Sequence, residues 1–274
     1  MERKFIGLAH YRKGPDKVLI RGVTQPLADA AKLLSKEIIK VSRAKLIIIY
    51  SGPLVALAII LRSWVWYNGY RPVVSSSQKI LPIFALIGII SYRLLLIRWG
   101  SNSTYALIGG HRGVAQTLSY EVCLLLIALV WFFIQESFRF CKVSFIQQGL
   151  WGGLFMPPLF IVWIILCIAE SNRTPFDLSE GEREIVSGFN IEYGGGLFAF
   201  IFIAEYGILI ALRFLTRIIF LSGRFLITKT LLVRGIYIWA RCSFPRVRYN
   251  NLIIITWKVA LPYTLFLLRV SIRF

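Results

Sequence analysis

Seven long apolar runs set the limits on how this 274-residue chain can fold. Each run approaches the roughly 20 residues that an α-helix needs to cross the hydrocarbon core of a bilayer. Long continuous runs indicate helices, since the strands of a membrane barrel would be shorter and would alternate in polarity. The sequence therefore predicts an all-α polytopic membrane protein with about seven transmembrane helices. The candidate spans are 46–66, 80–99, 118–135, 150–169, 197–220, 231–242 extended upstream, and 251–270.

The composition agrees with a membrane protein. Hydrophobic residues make up 57% of the chain and charged residues 16%, whereas about a quarter of the residues of a soluble domain are charged. The formal net charge is +19, but no basic helix or nucleic-acid-binding fold accompanies it. Affinity for phospholipid and for acidic neighbouring subunits explains this charge better than nucleic-acid binding does.

Lys and Arg residues are distributed unevenly along the chain. If residues 1–45 face one side and the spans alternate, then 98–117, 170–196 and 241–250 face the same side, and together these segments carry eighteen of the thirty-two basic residues. The positive-inside rule places them in the cytoplasm or the mitochondrial matrix. No signal peptide follows Met1, which together with the hydrophobicity predicts the mitochondrial inner membrane, with a bacterial plasma membrane as the alternative.

The chain is expected to form a single membrane domain over residues 1–274. Its N-terminal segment, 1–45, contains an apolar stripe at helical spacing within 24–37, which predicts an amphipathic helix lying in the membrane interface. A soluble cap helix packed on a partner is the alternative. Helices are expected over 46–169 and 197–274, joined by an acidic loop over 170–196. The stretch 98–121, rich in Gly, Ser and Asn, is expected to be a loop in which the glycines permit tight turns.

The acidic loop gathers six of the thirteen acidic residues of the chain, namely Glu170, Asp177, Glu180, Glu182, Glu184 and Glu192. Thr174 before Pro175, with Asp177 two residues later, is typical of the start of a short helix. On that helix Asp177, Glu180 and Glu184 would share one face. Like charges on one face are either solvated, or paired with bases, or linked by shared protons.

Two other acids fall within apolar segments. Glu205 lies deep in an apolar run, and Glu121 is expected to begin the third span. A carboxylate at membrane depth costs about 2.5–3.5 kcal/mol on insertion scales unless it is paired, hydrated or protonated. With Glu170, which closes the fourth apolar run, these residues predict a proton path. The alternative is a structural role, in which a protonated Glu is hydrogen-bonded between helices.

The sequence contains no motif for a redox centre or a covalent catalyst. The four cysteines have no CxxC spacing and the two histidines are far apart, so we expect no metal site and no cofactor bound by this chain. Neither a GxGxxG nor a Walker pattern is present. The energy for proton movement would therefore come from a partner.

Several segments resemble, in the same order, the subunit 1 family of proton-pumping NADH:ubiquinone oxidoreductase, respiratory complex I. The resemblance covers nearly the whole chain and is most specific in the acidic loop. The matching segments are ERKFIGLAHYRKGPDKV (2–18), QPLADAAKLLSKE (25–37), SNSTYALIGGHRGVAQTLSYEV (101–122), AESNRTPFDLSEGEREIVSGFNIEY (169–193), AEYG (204–207) and FPRVRYNNL (244–252).

The resemblance implies an eight-helix subunit at the junction of the two arms of the complex, which forms much of the tunnel by which ubiquinone enters. It also implies an acidic path toward the proton-pumping subunits, with NADH, FMN and the iron–sulfur clusters bound by partner subunits. The implied partners are the other membrane subunits and the peripheral-arm subunits of the quinone site and the terminal cluster. The roles fall on three groups of matching residues: Glu121, Glu170 and Glu205 in the buried path; Asp177, Glu180, Glu182, Glu184 and Glu192 at the quinone junction; and Glu2, Arg3, Arg12, Glu37 and Arg173 lining or bracing the tunnel. We expect the basic residues of 1–45 to keep the junction acids from repelling one another.

The chain departs from the family pattern in three places. The family has an apolar helix before ERK, and this helix is either lost or provided by a separate small chain, of which we expect the second. Arg183 stands where the family usually has a small residue, and YGGGLFAF (193–200) replaces a pattern richer in alanine. These last two differences affect the expected shape and charge of the acidic loop.

Three other functions remain open at the level of the sequence. A membrane-bound hydrogenase contains a related subunit, and co-purified quinone or a nickel-bearing partner would separate the two enzymes. A proton-coupled secondary transporter would use Glu121 and Glu205 and would be active when reconstituted by itself. A purely structural anchor leaves the buried Glu205 without explanation.

Overall fold

The structure is a computed structural model that describes residues 2–18, 22–37, 45–65, 80–149, 151–177, 193–223 and 226–273. Within these ranges the regular structure is helical and contains no strand, which confirms the all-α prediction. The helices are α1 (Glu2–Ala9), α2 (Gln25–Leu34), α3 (Leu46–Val65), α4 (Ile80–Ser101), α5 (Thr104–Ile134), α6 (Phe140–Ile146), α7 (Gly152–Phe155), α8 (Pro157–Glu170), α9 (Gly195–Phe220), α10 (Leu226–Ser243) and α11 (Tyr249–Arg273), the last with a π-helical segment at Ile255–Ala260.

Five helices of the described residues are long and apolar enough to cross a membrane: α3, α4, α5, α9 and α11. They coincide with five of the seven predicted spans. The predicted span 150–169 is instead divided into α7 and the 14-residue α8. Pro157 begins α8, and a proline without an N–H group suits the start of a helix but not its interior. The predicted span near 231–242 is α10, whose 18 residues include Lys229 and Arg234.

The prediction of a loop over 98–121 is wrong. Helix α4 continues to Ser101, and α5 begins at Thr104 and runs for 31 residues. Only Asn102 and Ser103 separate the two helices, with Asn102 in the left-handed region at φ 52°. Glu121 therefore lies near the middle of α5 and not at its start. The glycines of this stretch are tolerated in a helix because the neighbouring helix fills the space that they leave.

The long helices pack around α5. Helix α4 lies between α3 and α5, α9 packs on α3, and α8 and α11 pack on other faces of α5. The interior contains large aromatic side chains, such as Trp163, whose ring centroid is 5.6 Å from that of Phe220. The indole of Trp163 donates a hydrogen bond of 3.0 Å to Thr216 Oγ1. Such close packing and hydrogen bonding hold membrane helices together where hydrophobic burial contributes little.

The amphipathic helix expected within 24–37 is present as α2. Its Leu27 and Leu34 are exposed, as expected for the apolar face of a helix that lies in the membrane interface. Helix α2 packs near the start of α9, where Gly195 has a φ of 58° and lies beside the carbonyl of Glu37. A Cβ at Gly195 would come within 3.3 Å of that oxygen. Glycine is therefore favoured at this position by both conformation and space.

The helix expected to begin at Thr174 is not formed in the described part of the acidic loop. Residues 171–177 form a turn instead, with a cis Thr174–Pro175 peptide. Tertiary hydrogen bonds occupy its carbonyl groups: Gln116 Nε2 donates to Phe176 O at 3.0 Å, and the Val247 N–H donates to Pro175 O at 3.1 Å. The remaining loop, 178–192, lies outside the described residues, as do the short helices expected there.

Candidate functional site: a buried cluster of charges

Glu205 lies inside the helical bundle, on α9. Its residue surface is 8% exposed, and it forms an ion pair with Arg173 in the turn after α8, with Arg173 Nη2 3.6 Å from Glu205 Oε2. The guanidinium of Arg173 also lies 4.7 Å from the centroid of the Tyr206 ring. The turn therefore places a positive charge beside an acid in the membrane-spanning part of the chain.

Two arginines of α4 complete the charge balance around the acids. Arg93 is 3% exposed and Arg98 is 1% exposed, and both attract Glu205 electrostatically. Arg93 also attracts Glu170. Sequence reasoning missed both arginines as partners of the buried acids, since the balancing role that it gave to residues 1–45 concerned the junction acids. The sequence signal for them was the presence of two arginines in an apolar run. Burying an arginine there costs as much free energy as burying a carboxylate, so it is an equally strong indication of a functional or paired residue.

Glu170 ends α8 and is 4% exposed. It interacts electrostatically with Glu121 as well as with Arg93. Glu121 is half-buried on α5, and its carboxylate lies against Gly88 of α4, where a side chain of any size would collide with it. The three acids predicted for the buried path thus occupy three different helices, and electrostatic contacts connect Glu121 to Glu170, and Glu170 through Arg93 to Glu205.

Arg98 is held by a glycine-lined space on α5. Its Nη1 donates a hydrogen bond to the carbonyl of Gly110. A Cβ on Gly110 would lie 2.6 Å from Arg98 Cδ, and a Cβ on Gly113 would lie 2.6 Å from Arg98 Nη2. The glycines of this stretch therefore do not form turns. They admit a buried arginine.

Asp177 is the one member of the predicted quinone-junction group that the structure describes. It lies at the end of the turn and acts electrostatically on Glu205. The other members, Glu180, Glu182, Glu184 and Glu192, and the additional cation Arg183 lie outside the described residues.

The predicted tunnel residues of the N-terminal segment fall into two groups. Glu2 pairs with Arg241 of α10, whose Nε also donates to Thr174 Oγ1 at 3.4 Å. Glu2 is therefore connected to the turn that carries Arg173. By contrast, Arg3, Arg12 and Glu37 are exposed and lie outside the buried cluster.

An exposed ion pair joins α1 to α2. Arg3 Nη1 lies 2.9 Å from Asp29 Oδ2, and Gln25 Nε2 donates to Asp29 Oδ1 at 2.9 Å. The Gln25 amide and the Arg3 guanidinium hold the pKa of Asp29 below its usual value. This ion pair connects the two N-terminal helices at the surface, where an exposed pair contributes up to about 1 kcal/mol.

The described residues contain no group of three or more His, Cys, Asp or Glu side chains that could hold a metal ion. Cys123, Cys167 and Cys242 are free thiols. The buried cluster instead consists of carboxylates and guanidinium groups within the helical bundle. The carboxylates can bind and release protons, and the guanidinium groups can stabilise their ionised form.

Together, the fold and this cluster define a polytopic helical membrane protein whose interior carries interacting acids and arginines. A family model described as NADH dehydrogenase matches residues 1–272. The chain belongs to this NADH dehydrogenase family, and the resemblance inferred from the acidic loop is confirmed.

Curated relatives agree with the family assignment along most of their length. Proteins named NADH-ubiquinone oxidoreductase chain 1 are 39% identical in Paracentrotus lividus, over 97% of this chain and 86% of that protein, and 41% identical in Priodontes maximus, over 97% and 87%. The protein of the same name from Anopheles gambiae is 40% identical, over 97% of this chain and 86% of its own length.

Proposed function

We propose that this chain is the membrane subunit of NADH:ubiquinone oxidoreductase that forms the quinone access tunnel and begins the path coupling quinone reduction to proton pumping. One observation carries the proposal: Arg93 interacts with both Glu170 and Glu205, while Arg173 and Asp177 link Glu205 to the acidic loop. The names of the relatives favour the quinone enzyme over a hydrogenase or a transporter.

The coupling would be electrostatic. Unit charges 4 Å apart interact by about 4 kcal/mol at an effective dielectric constant near 20, and about 1.4 kcal/mol corresponds to a tenfold change in proton affinity. Reduction of quinone beside Asp177 and the loop acids would change the charge facing Glu205. Arg93 would then pass this change to Glu170, and Glu170 to Glu121, as altered protonation.

The tunnel would be formed with the help of the N-terminal segment. Glu2 and Arg173 would brace it, because Arg241 contacts both Glu2 and the turn at Thr174. The exposed Arg3, Arg12 and Glu37 would face the quinone or the neighbouring subunits.

The partners in this proposal are the other membrane subunits, the peripheral-arm subunits that bind NADH, FMN and the iron–sulfur clusters, and phospholipid. The location is the mitochondrial inner membrane. This placement is supported by the family membership and by the five helices of the described residues that are able to cross a membrane. It is also supported by the excess of basic residues in the segments assigned to the matrix.

The test is to neutralise one acid at a time in the assembled complex. Glu205→Gln and Glu180→Gln should lower the number of protons pumped per NADH oxidised by quinone, while electron transfer from NADH to a soluble acceptor upstream of the quinone stays unchanged. Glu136→Gln is the matched control, because Glu136 is exposed beyond the end of α5. An unchanged pumping ratio in both the Glu205 and the Glu180 variants would overturn the proposal.

A further inference from the structure

Two basic side chains are buried near one another at the end of α9 that is remote from the charge cluster. Arg217 is 8% exposed and Lys229, on α10, is 7% exposed. The two residues meet at the end of α9: the carbonyl of Arg217 accepts a hydrogen bond of 2.9 Å from the Leu221 N–H, and Lys229 Nζ donates to the carbonyl of Ser222, the next residue. Burial costs each cation part of its hydration, so an anion beside them would be stabilising.

The described residues of the chain supply no such anion. No carboxylate among them forms an ion pair with Arg217 or Lys229. In the sequence, Glu136 is the single acidic side chain within 66–79, 135–150 and 217–230, and its side chain is exposed. Within the same described part of the chain, the Nε atom of Arg217 is buried without a hydrogen-bond partner.

The surroundings of Lys229 are well ordered by hydrogen bonds. Its Nζ donates to Ser222 O at 2.9 Å and lies 4.6 Å from the centroid of the Trp151 ring. Gln147 fixes the backbone beside it, since its Nε2 donates to Ile219 O at 2.5 Å and its Oε1 accepts from the Ser222 N–H at 2.7 Å. An ammonium group has three N–H donors, and the Ser222 carbonyl accepts from one of them.

The position of this pair points to the headgroup level of the bilayer. Helix α9 begins beside α2, on the side of the N-terminal segment, so that Arg217 and Lys229 lie toward the opposite surface. The positive-inside rule disfavours cations there. Tryptophan is enriched at membrane interfaces, and Trp151 lies directly at the ammonium of Lys229. Exposed apolar side chains lie close in sequence to Trp151 and Lys229, namely Leu154, Phe155, Ile227, Leu231 and Leu232.

We propose that Arg217 and Lys229 bind the phosphate group of a phospholipid, with its acyl chains on the apolar surface that includes Phe155 and Ile227. The phosphate would accept hydrogen bonds from Arg217 and from Lys229, and it would supply the balancing negative charge. A polar headgroup on two cations and an apolar surface beside them match the two halves of a phospholipid.

The test is a high-resolution density map of the purified complex, combined with quantitative mass spectrometry of the lipids that remain bound. The expected result is a phosphate-sized feature within hydrogen-bond distance of Lys229 Nζ and Arg217, continuous with acyl-chain density. Arg217→Gln and Lys229→Gln should each remove this feature and about one tightly bound phospholipid per complex. Arg217→Lys should retain both, because it keeps the charge.

Lys142→Gln is the control, since Lys142 is an exposed cation on α6, in the loop region of the same side. A carboxylate of a neighbouring subunit between Arg217 and Lys229 would overturn the proposal. A compact phosphate feature without acyl chains, replaced by other anions when the buffer is changed, would show that the site binds a free anion and would contradict the proposal that the phosphate belongs to a phospholipid. If one glutamine variant fails to assemble, the other one and Arg217→Lys still decide between these outcomes.

Discussion

Arg173 and Glu205 face each other across the boundary between the acidic loop and the membrane interior, with Arg173 Nη2 3.6 Å from Glu205 Oε2. Arg173 belongs to a turn that contacts α5 and α10, and Glu205 belongs to a helix that contacts α3. This contact therefore connects the loop, where quinone chemistry is proposed to act, with the acids between the helices.

Removing the cation of this pair should destabilise the complex. The loss should be smaller than for a substitution that leaves a buried charge without any partner. Arg173→Gln leaves Glu205 with Arg93 and Arg98, so we expect a loss of about 1–2 kcal/mol, compared with about 3–5 kcal/mol for breaking an isolated buried pair. The double variant Arg173→Gln/Glu205→Gln should recover part of this loss. The measurement is the rate of thermal inactivation of NADH:quinone reduction in the four members of the cycle.

An interaction energy of about 0.5–3 kcal/mol between the two positions would be typical of residues in direct contact. Arg139→Gln, at an exposed arginine before α6, serves as the control and should be neutral. Strictly additive effects of the Arg173 and Glu205 changes would show that the contact carries no energy.

Gly88 should be required for the position of the Glu121 carboxylate. A methyl group at Gly88 would overlap Glu121 Oε1, so that Gly88→Ala must displace either the carboxylate or α4. We expect a lower pumping ratio, as for Glu121→Gln. In a Glu121→Ala background the collision is removed, and adding Gly88→Ala should then have little further effect. Pumping assays in proteoliposomes would show this non-additivity, and two independent, multiplying losses would contradict it.

The sequence predicted some parts of this architecture better than others, for physical reasons. Helices such as α3 and α9 followed from length and hydropathy because a bilayer demands both. The start of α5 did not follow, since local rules assign Gly110 and Gly113 to turns, whereas their role is to admit Arg98 from another helix. The rule that singled out Glu205 also applies to Arg93, so that this counter-charge could have been predicted. Its contacts with two different acids depend on the packing of α4 and could not.

The two glycines that admit Arg98 should differ in their tolerance of a side chain. At Gly110 a new Cβ would meet the Cδ, Cγ and Cβ atoms of Arg98, whereas at Gly113 it would meet the guanidinium at the far end of that side chain, which can shift by rotation about its own bonds. Overpacking of a filled interior typically costs about 1–3 kcal/mol, and we expect Gly110→Ala to lie at the upper end and Gly113→Ala near the lower end. The melting midpoint of the assembled complex measures the difference.

Gly235 on α10 provides a matched control for these two changes. A Cβ there has nothing within 4 Å, so Gly235→Ala should be neutral or slightly stabilising, by up to about 1 kcal/mol, because alanine favours helix over the unfolded chain. Equal effects of all three alanines would show that helix propensity, and not the space around Arg98, decides the outcome.

Gln116 should control how firmly the start of the acidic loop is held. It is completely buried, and its Nε2 donates to Ala169 O at 3.1 Å and to Phe176 O at 3.0 Å. Gln116→Leu would remove the side-chain donor from the Phe176 carbonyl, whereas the Ala169 carbonyl still accepts from the Asn172 N–H at 3.2 Å. An unsatisfied buried group costs about 1–3 kcal/mol. We therefore expect faster amide hydrogen exchange across 171–177 in the assembled complex, together with slower quinone reduction, because Arg173 would no longer be held at Glu205. Gln148→Leu, at an exposed glutamine, should leave both quantities unchanged. If exchange in 171–177 stayed at the wild-type rate in the Gln116 variant, the turn would be held by its contacts with Arg241 and Val247 instead.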